Sequence, residues 1–174
     1  MNQATESRAR KIRLLILDVD GVMSDGRIYF DSDGRELKSF NTLDGHGIKM
    51  LQNTGVKVGI ITGRKNPLVE KRARDLKINI LIQGREDKLA ALAELREAEP
   101  VPLDRIAFMG DDWPDVAVMR AVGLALTVPN AHEEVKKIAH WQSTKPGGSG
   151  AVREACDAIM QAQNTYDSAF AEFL

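Results

Sequence analysis

The chain has 174 residues, 43% of them hydrophobic, and a formal net charge of −1. That length suits one domain with a real core, and the near-neutral balance gives no general electrostatic case for nucleic acid or an anionic membrane surface. A single cysteine, Cys156, excludes an intrachain disulfide. With no long apolar run and no apolar signal core behind the polar N-terminus, a soluble cytoplasmic protein is expected.

In chain order, residues 12–17 form an apolar run that reads as a strand buried on both faces. It ends in Asp18-Val19-Asp20-Gly21. Two β-rich segments, 27–30 and 36–40, flank an Asp-Gly turn and predict a hairpin. A short helix is expected over 45–53, then a strand over 56–61 ending in Thr62-Gly63-Arg64. Asn66-Pro67 opens a helix to about residue 76 as cap and first helical position. The remaining pattern is a strand at 78–82, a helix at 87–97, a strand at 105–109 ending in Gly110-Asp111-Asp112, a helix at 114–121, a strand at 124–128 and a helix at 133–139. A Lys-Pro-Gly-Gly-Ser-Gly loop, 145–150, precedes a last helix to about 163. This loop reads equally well as a lid or as a linker. The alternation predicts an α/β fold, a Rossmann-like parallel sheet with helices on both faces and a small β-hairpin insertion after the first strand. A single domain is expected across 1–174, with the hairpin at about 25–42 and a tail at about 164–174.

In a parallel sheet, the C-terminal strand ends share one edge, where ligands bind. Asp18, Asp20, Thr62, Lys88 and the Asp111–Asp112 pair all fall there. Adjacent carboxylates repel unless a cation or proton sits between them. Carboxylates with a hydroxyl and a point cation suit Mg²⁺ and a phosphoryl group. Lys88 opens a helix, where the macrodipole disfavours a cation by roughly 0.3–1 kcal/mol unless an anion shares the site.

The segments Asp-Val-Asp-Gly at 18–21, Ile-Thr-Gly-Arg at 61–64, Lys88 and Gly-Asp-Asp at 110–112 resemble, in order, the four motifs of the haloacid dehalogenase-like phosphatases. The resemblance implies that Asp18 is the nucleophile and a metal ligand. Asp20 becomes the acid/base, with its backbone carbonyl on Mg²⁺. Thr62 and Lys88 hold the phosphoryl group, and Asp111 completes the metal shell. Asp112 and Asp115 are expected as supporting partners, with a plain helix cap as the alternative for Asp112. Such phosphatases usually carry a cap domain. Here only the hairpin stands in its place, which implies the capless type and a site covered by a neighbouring subunit.

Segments 24–49, 61–73 and 147–157 resemble the 3-deoxy-D-manno-octulosonate 8-phosphate phosphatases, which make a step toward lipopolysaccharide. That resemblance implies a homotetramer built around the hairpins and an acidic sugar phosphate as substrate. Arg64 and Arg72 suit the sugar carboxylate, with a surface arginine as the alternative for Arg72. By analogy, Asn41, Thr42, Leu43, Asp44, Gly45 and Lys49 contact the substrate, alongside Asp20, Gly63 and Lys88. Other readings are a phosphatase of another sugar phosphate such as a nonulosonate 9-phosphate, a phospho-receiver module and an inactive scaffold. His46, His132 and His140 lack metal-ligand spacing, Trp113 and Trp141 read as packing residues, and Cys156 as a buried thiol.

Overall fold

The computed structural model describes residues 1–174. It opens with a helix the sequence reading missed, α1 (Gln3–Ala9), capped by the Asn2 side chain on the Thr5 amide. Only Thr5 and Ala9 of α1 are buried, so its apolar periodicity is weak. The first strand, β1 (Leu14–Leu17), is wholly buried. A wide turn follows, closed by the Ser24 amide on the Val19 carbonyl. The hairpin pairs only β2 (Tyr29–Phe30) with β3 (Glu36–Leu37), shorter than its pattern suggested.

Helix α2 (Thr42–Asn53) starts earlier than expected, because the Asn41 side chain caps the Leu43 amide. Gly45 and Gly47 weaken its propensity. Yet a Cβ on Gly45 would lie 2.4 Å from an Arg72 guanidinium nitrogen, so close packing explains that glycine. Next come β4 (Lys57–Thr62), α3 (Pro67–Asp75), β5 (Ile80–Gln83) and α4 (Lys88–Ala98). The chain continues through β6 (Ile106–Met109), α5 (Trp113–Ala121), β7 (Leu124–Thr127) and α6 (Glu133–Ile138). It ends with an edge strand the sequence reading missed, β8 (Trp141–Gln142), then α7 (Ala151–Ala162) and α8 (Tyr166–Ala171).

Six strands form one parallel sheet in the order β5-β4-β1-β6-β7-β8. The chain runs outward from β1 to β5, then returns to β6 on the other side of β1. Such a reversal opens a crevice beyond the strand ends, and here it lies at the end of β1. Right-handed crossovers put α2 and α3 on one face, and α4, α5 and α6 on the other. Helix α7 packs on α2 and α1, and α5 on α4 and α6. A core of 44 buried apolar residues joins both layers to the sheet.

The segment 145–150 is not draped over the strand ends. The Gly147 amide donates to Asn130 Oδ1 at 2.8 Å, and Asn130 Nδ2 donates to the Gly21 carbonyl at 3.0 Å. The Gly148 amide donates to the Val22 carbonyl at 3.0 Å. The loop is thus a clamp on the turn after β1.

Asp44, buried on α2, has a scaffold role. Helix α7 follows Gly150, which supplies no side-chain cap. Instead Asp44 Oδ1 accepts the Arg153 amide at 2.8 Å, tying α2 to the N-terminus of α7. Asp44→Ala is expected to lower unfolding stability by about 1–2 kcal/mol in urea titration, the usual worth of a helix cap. A loss below about 0.3 kcal/mol would remove this role.

Candidate active site

The end of β1 sets the site. Asp18 follows the last strand residue, its amide donating to the Met109 carbonyl of β6 at 3.0 Å. Gly21 has φ +89°, a left-handed conformation suited to glycine, and a Cβ there would fall 1.9 Å from Asp111 Oδ2. The turn after β1 therefore folds tightly against the carboxylate at the end of β6. Thr62 closes β4 and is buried. Lys88 opens α4, and Asp111, Asp112 and Asp115 lie at or near the start of α5.

These groups share a cavity of about 390 Å³ at the strand ends, with no hydrophobic residue in its lining. Asp18, Asp20, Thr62, Gly63, Arg64, Lys88, Asp111 and Asp112 all line it, as the motif spacing predicted, and so do Asp115, Gly26 and Glu86. A polar cavity this size suits a small, highly charged ligand.

Lys88 is buried. Its ammonium lies 2.9 Å from Asp18 and 2.5 Å from Asp115. Asp115 is spoken for on both oxygens. Oδ1 takes Lys88, and Oδ2 accepts the amides of Asp111 at 2.9 Å and Asp112 at 3.2 Å. It anchors Lys88 and ties down the β6–α5 loop. Oxygens of Asp18, Asp111 and Asp115 come within 4.8 Å of one another. Three carboxylates against one ammonium leave two negative charges uncompensated in a mostly buried place. Burial, with Asp115 adding and Lys88 opposing, pushes Asp18 up to about 7. Burial, then Asp18 and Asp115, pushes Asp111 up to about 8. A divalent oxygen-seeking cation fits this donor set and relieves the repulsion that otherwise holds protons there.

The remaining candidates fall elsewhere. Asn41 caps α2, Asp44 caps α7, and Arg72 donates to the Asn41 carbonyl at 2.9 Å while its guanidinium sits 5.6 Å from the Phe40 ring centroid. These three, with Gly45, knit α2, α3 and α7 together outside the cavity. Thr42, Leu43 and Lys49 are exposed on α2 and do not line the cavity. Arg64 does line it and also donates to Glu36 at 2.8 Å. Trp113 departs from the packing expectation: it is 64% exposed, its indole N–H donating to His132 Nδ1 at 3.0 Å. His132 caps α6, His140 accepts the Ala125 amide, His46 stands edge-on to Phe173, and Cys156 is buried.

Sequence reading missed three contributors. Lys38 pairs with Asp20 and lies 3.7 Å from Glu36, and Asn130 bridges the turn after β1 to the 145–150 clamp. Glu36 and Lys38, two apart in an extended segment, project to one side, which was the available signal. Nothing local marks Asn130.

The chain is similar to known proteins in sequence and in overall fold. The profile of the haloacid dehalogenase-like hydrolases matches residues 78–155. The 3-deoxy-D-manno-octulosonate 8-phosphate phosphatase KdsC of Yersinia pestis is 48% identical over 162 residues, spanning 93% of this chain and 87% of that one. The crystal structure of a probable YrbI-family phosphatase from Pseudomonas syringae superposes with TM-score 0.96 at 46% identity, covering 99% and 98% of the two chains. The 3-deoxy-D-manno-octulosonate 8-phosphate phosphatase of Moraxella catarrhalis, solved with magnesium, phosphate and KDO, superposes with TM-score 0.96 at 41% identity, covering 100% and 99%.

The raised carboxyls carry a sign. Without metal, folded Asp18 and Asp111 keep protons that the unfolded chain releases near 3.8. Their contribution to stability therefore falls as pH rises from about 4 to 8, and a bound cation reverses it. In EDTA, the thermal midpoint is expected to drop between pH 5.5 and 8.5. Excess magnesium should raise it by about 5 °C at pH 8.5 and hardly at pH 5.5. Asp111→Asn should flatten both responses. Equal magnesium shifts at the two pH values would contradict the metal assignment.

Proposed function

The chain belongs to the haloacid dehalogenase-like hydrolases, and from that membership we propose a phosphatase that hydrolyses 3-deoxy-D-manno-octulosonate 8-phosphate to the free sugar acid and phosphate. The observation that carries it is the meeting of Asp18, Asp20, Thr62, Lys88 and Asp111 around one polar cavity. The near-full-length kinship to phosphatases of this sugar phosphate supports the substrate.

Each residue has a part that its place suits. Asp18 Oδ attacks phosphorus as the ester P–O bond breaks, giving an aspartyl-phosphate. Asp20 delivers a proton to the departing sugar oxygen, so an alcohol leaves rather than an alkoxide. In the second half, Asp20 takes a proton from water as the water oxygen bonds to phosphorus. The P–O bond to Asp18 then breaks, regenerating its carboxylate. The balance is ester plus water to alcohol plus phosphate. Lys88, fixed by Asp115, and the Thr62 hydroxyl with the Gly63 amide hold the phosphoryl oxygens in line. Asp18, Asp111 and the Asp20 carbonyl would hold Mg²⁺, which neutralises the charge of the transferring group. Arg64 at the rim suits the sugar carboxylate, pairing in place of Glu36.

The proposal includes a homotetramer and a cytoplasmic location. Supporting assembly, the hairpin exposes Ile28, Tyr29, Phe30 and Leu37, with Phe30 65% exposed, an apolar surface of the kind that marks an interface. Thr42, Leu43 and Lys49 are exposed, which supports a role in a neighbour's site within such an assembly. Supporting the location, the one cysteine is a buried free thiol, and no helix is long and apolar enough to cross a membrane.

A panel of phosphate esters ranked by kcat/KM, with sedimentation equilibrium on the same preparation, tests the reading. The eight-carbon acid phosphate should rank first, and Asp18→Asn should lose at least about a thousandfold in kcat. The species should be a tetramer. A nine-carbon or neutral sugar phosphate ranking first would overturn the substrate, and an active monomer the assembly.

A further inference from the structure

The hairpin does more inside its own subunit than present an apolar face. Lys38, just beyond β3, is half-buried as a residue, but its side chain is only 3% exposed. Burying an ammonium is costly unless it is paired. Its hydrogen-bond partner is Asp20 Oδ1, and Glu36 lies 3.7 Å away. Glu36 Oε2 in turn accepts Arg64 at 2.8 Å. Charges of alternating sign therefore run from the rim arginine, through the hairpin, to the acid/base carboxylate. Lys38 does not line the cavity, whereas Asp20 does. Asp20 Oδ2 makes no hydrogen bond within the chain and is not sealed off from solvent.

We propose that Lys38 is a positioning residue for the reaction: it tethers Asp20 Oδ1 and thereby aims Oδ2 at the leaving oxygen. The inference rests on reading Asp20 as the acid/base. The terminal torsion of an aspartate is broad and poorly self-restrained. Tying one oxygen to a buried cation fixes where the other points, and proton transfer demands heavy atoms about 2.6–3.2 Å apart. A misplacement of about 1 Å can cost about 100-fold. A short hairpin with a two-pair ladder thus supplies the tether through one side chain.

Leaving-group chemistry separates positioning from mere hairpin docking. A sugar alkoxide needs the proton, whereas p-nitrophenolate departs without it. Single-turnover P–O cleavage is to be measured with both 3-deoxy-D-manno-octulosonate 8-phosphate and p-nitrophenyl phosphate, for wild type, Lys38→Met, Lys38→Arg and Asp20→Asn. Lys38→Met should lose about 10- to 100-fold on the sugar phosphate and under threefold on the aryl ester, with KM changed less than threefold. Lys38→Arg, which keeps a cation, should recover most of the loss. If Lys38→Met does not fold, Lys38→Gln, an uncharged donor of shorter reach, is read for the same ratio. Parallel losses on both esters, or no loss, would overturn the positioning role. Asp20→Asn keeps the two failures apart: if it shows no bias toward the aryl ester, the acid/base reading fails, whereas a biased Asp20→Asn beside an unbiased Lys38→Met sinks only the role of Lys38.

Discussion

Three carboxylates, Asp18, Asp111 and Asp115, face one buried ammonium, Lys88, at the C-terminal edge of the sheet, and the surrounding architecture is arranged to tolerate that crowding. They come from three stretches of chain: Asp18 after β1, Lys88 at the start of α4, and Asp111 with Asp115 where β6 leads into α5. Only a parallel sheet with a reversal at β1 brings them to one place. Asp115 absorbs part of the strain by accepting two loop amides as well as the lysine. What remains is a shortfall of positive charge beside the buried carboxylate of Asp18, the proposed nucleophile. A divalent cation and a phosphoryl group together satisfy it better than either alone, since the cation offsets the carboxylates while Lys88 and Thr62 receive the oxygens.

The same constraint explains the tightness of the turn after β1. Gly21 must pass beside Asp111, which no side chain at that position would allow. Asn130 and the 145–150 clamp hold the turn from behind, and Lys38 holds Asp20 from the hairpin. Asp20 is thus supported through the backbone of the two residues after it and on one side-chain oxygen. A loop that moved freely would lose the alignment of Asp20 with Asp18, two residues before it, on which the proposed reaction depends. The glycines at 147 and 148 serve close approach of two backbones here, not hinging.

Much of this was legible in the sequence because the motif residues sit next to strong apolar runs. The strands at 14–17, 57–62 and 106–109 announce themselves by burial, and Asp18, Thr62 and Asp111 follow directly from where those runs stop. Lys88 was legible as a cation at an unfavourable helix start. Elements with little apolar content were missed: α1 buries two residues, and β8 has only two. Arg72 was read as a substrate contact because a guanidinium suits a carboxylate, and Asp44 by analogy with the related phosphatases. Within the chain, their hydrogen bonds tie α2 to α3 and α7 outside the cavity. The ties from Lys38 and Asn130 are long-range and polar, and no local period encodes such pairs.

Nucleophilic attack by Asp18 is the central claim, and trapping the acyl phosphate tests it most directly. Borohydride added during turnover should reduce the aspartyl-phosphate to homoserine, which peptide mass spectrometry locates. Homoserine at position 18, dependent on both substrate and magnesium and absent without either, is the predicted result. Homoserine at Asp20 or Asp111, or none during rapid turnover, would contradict the account.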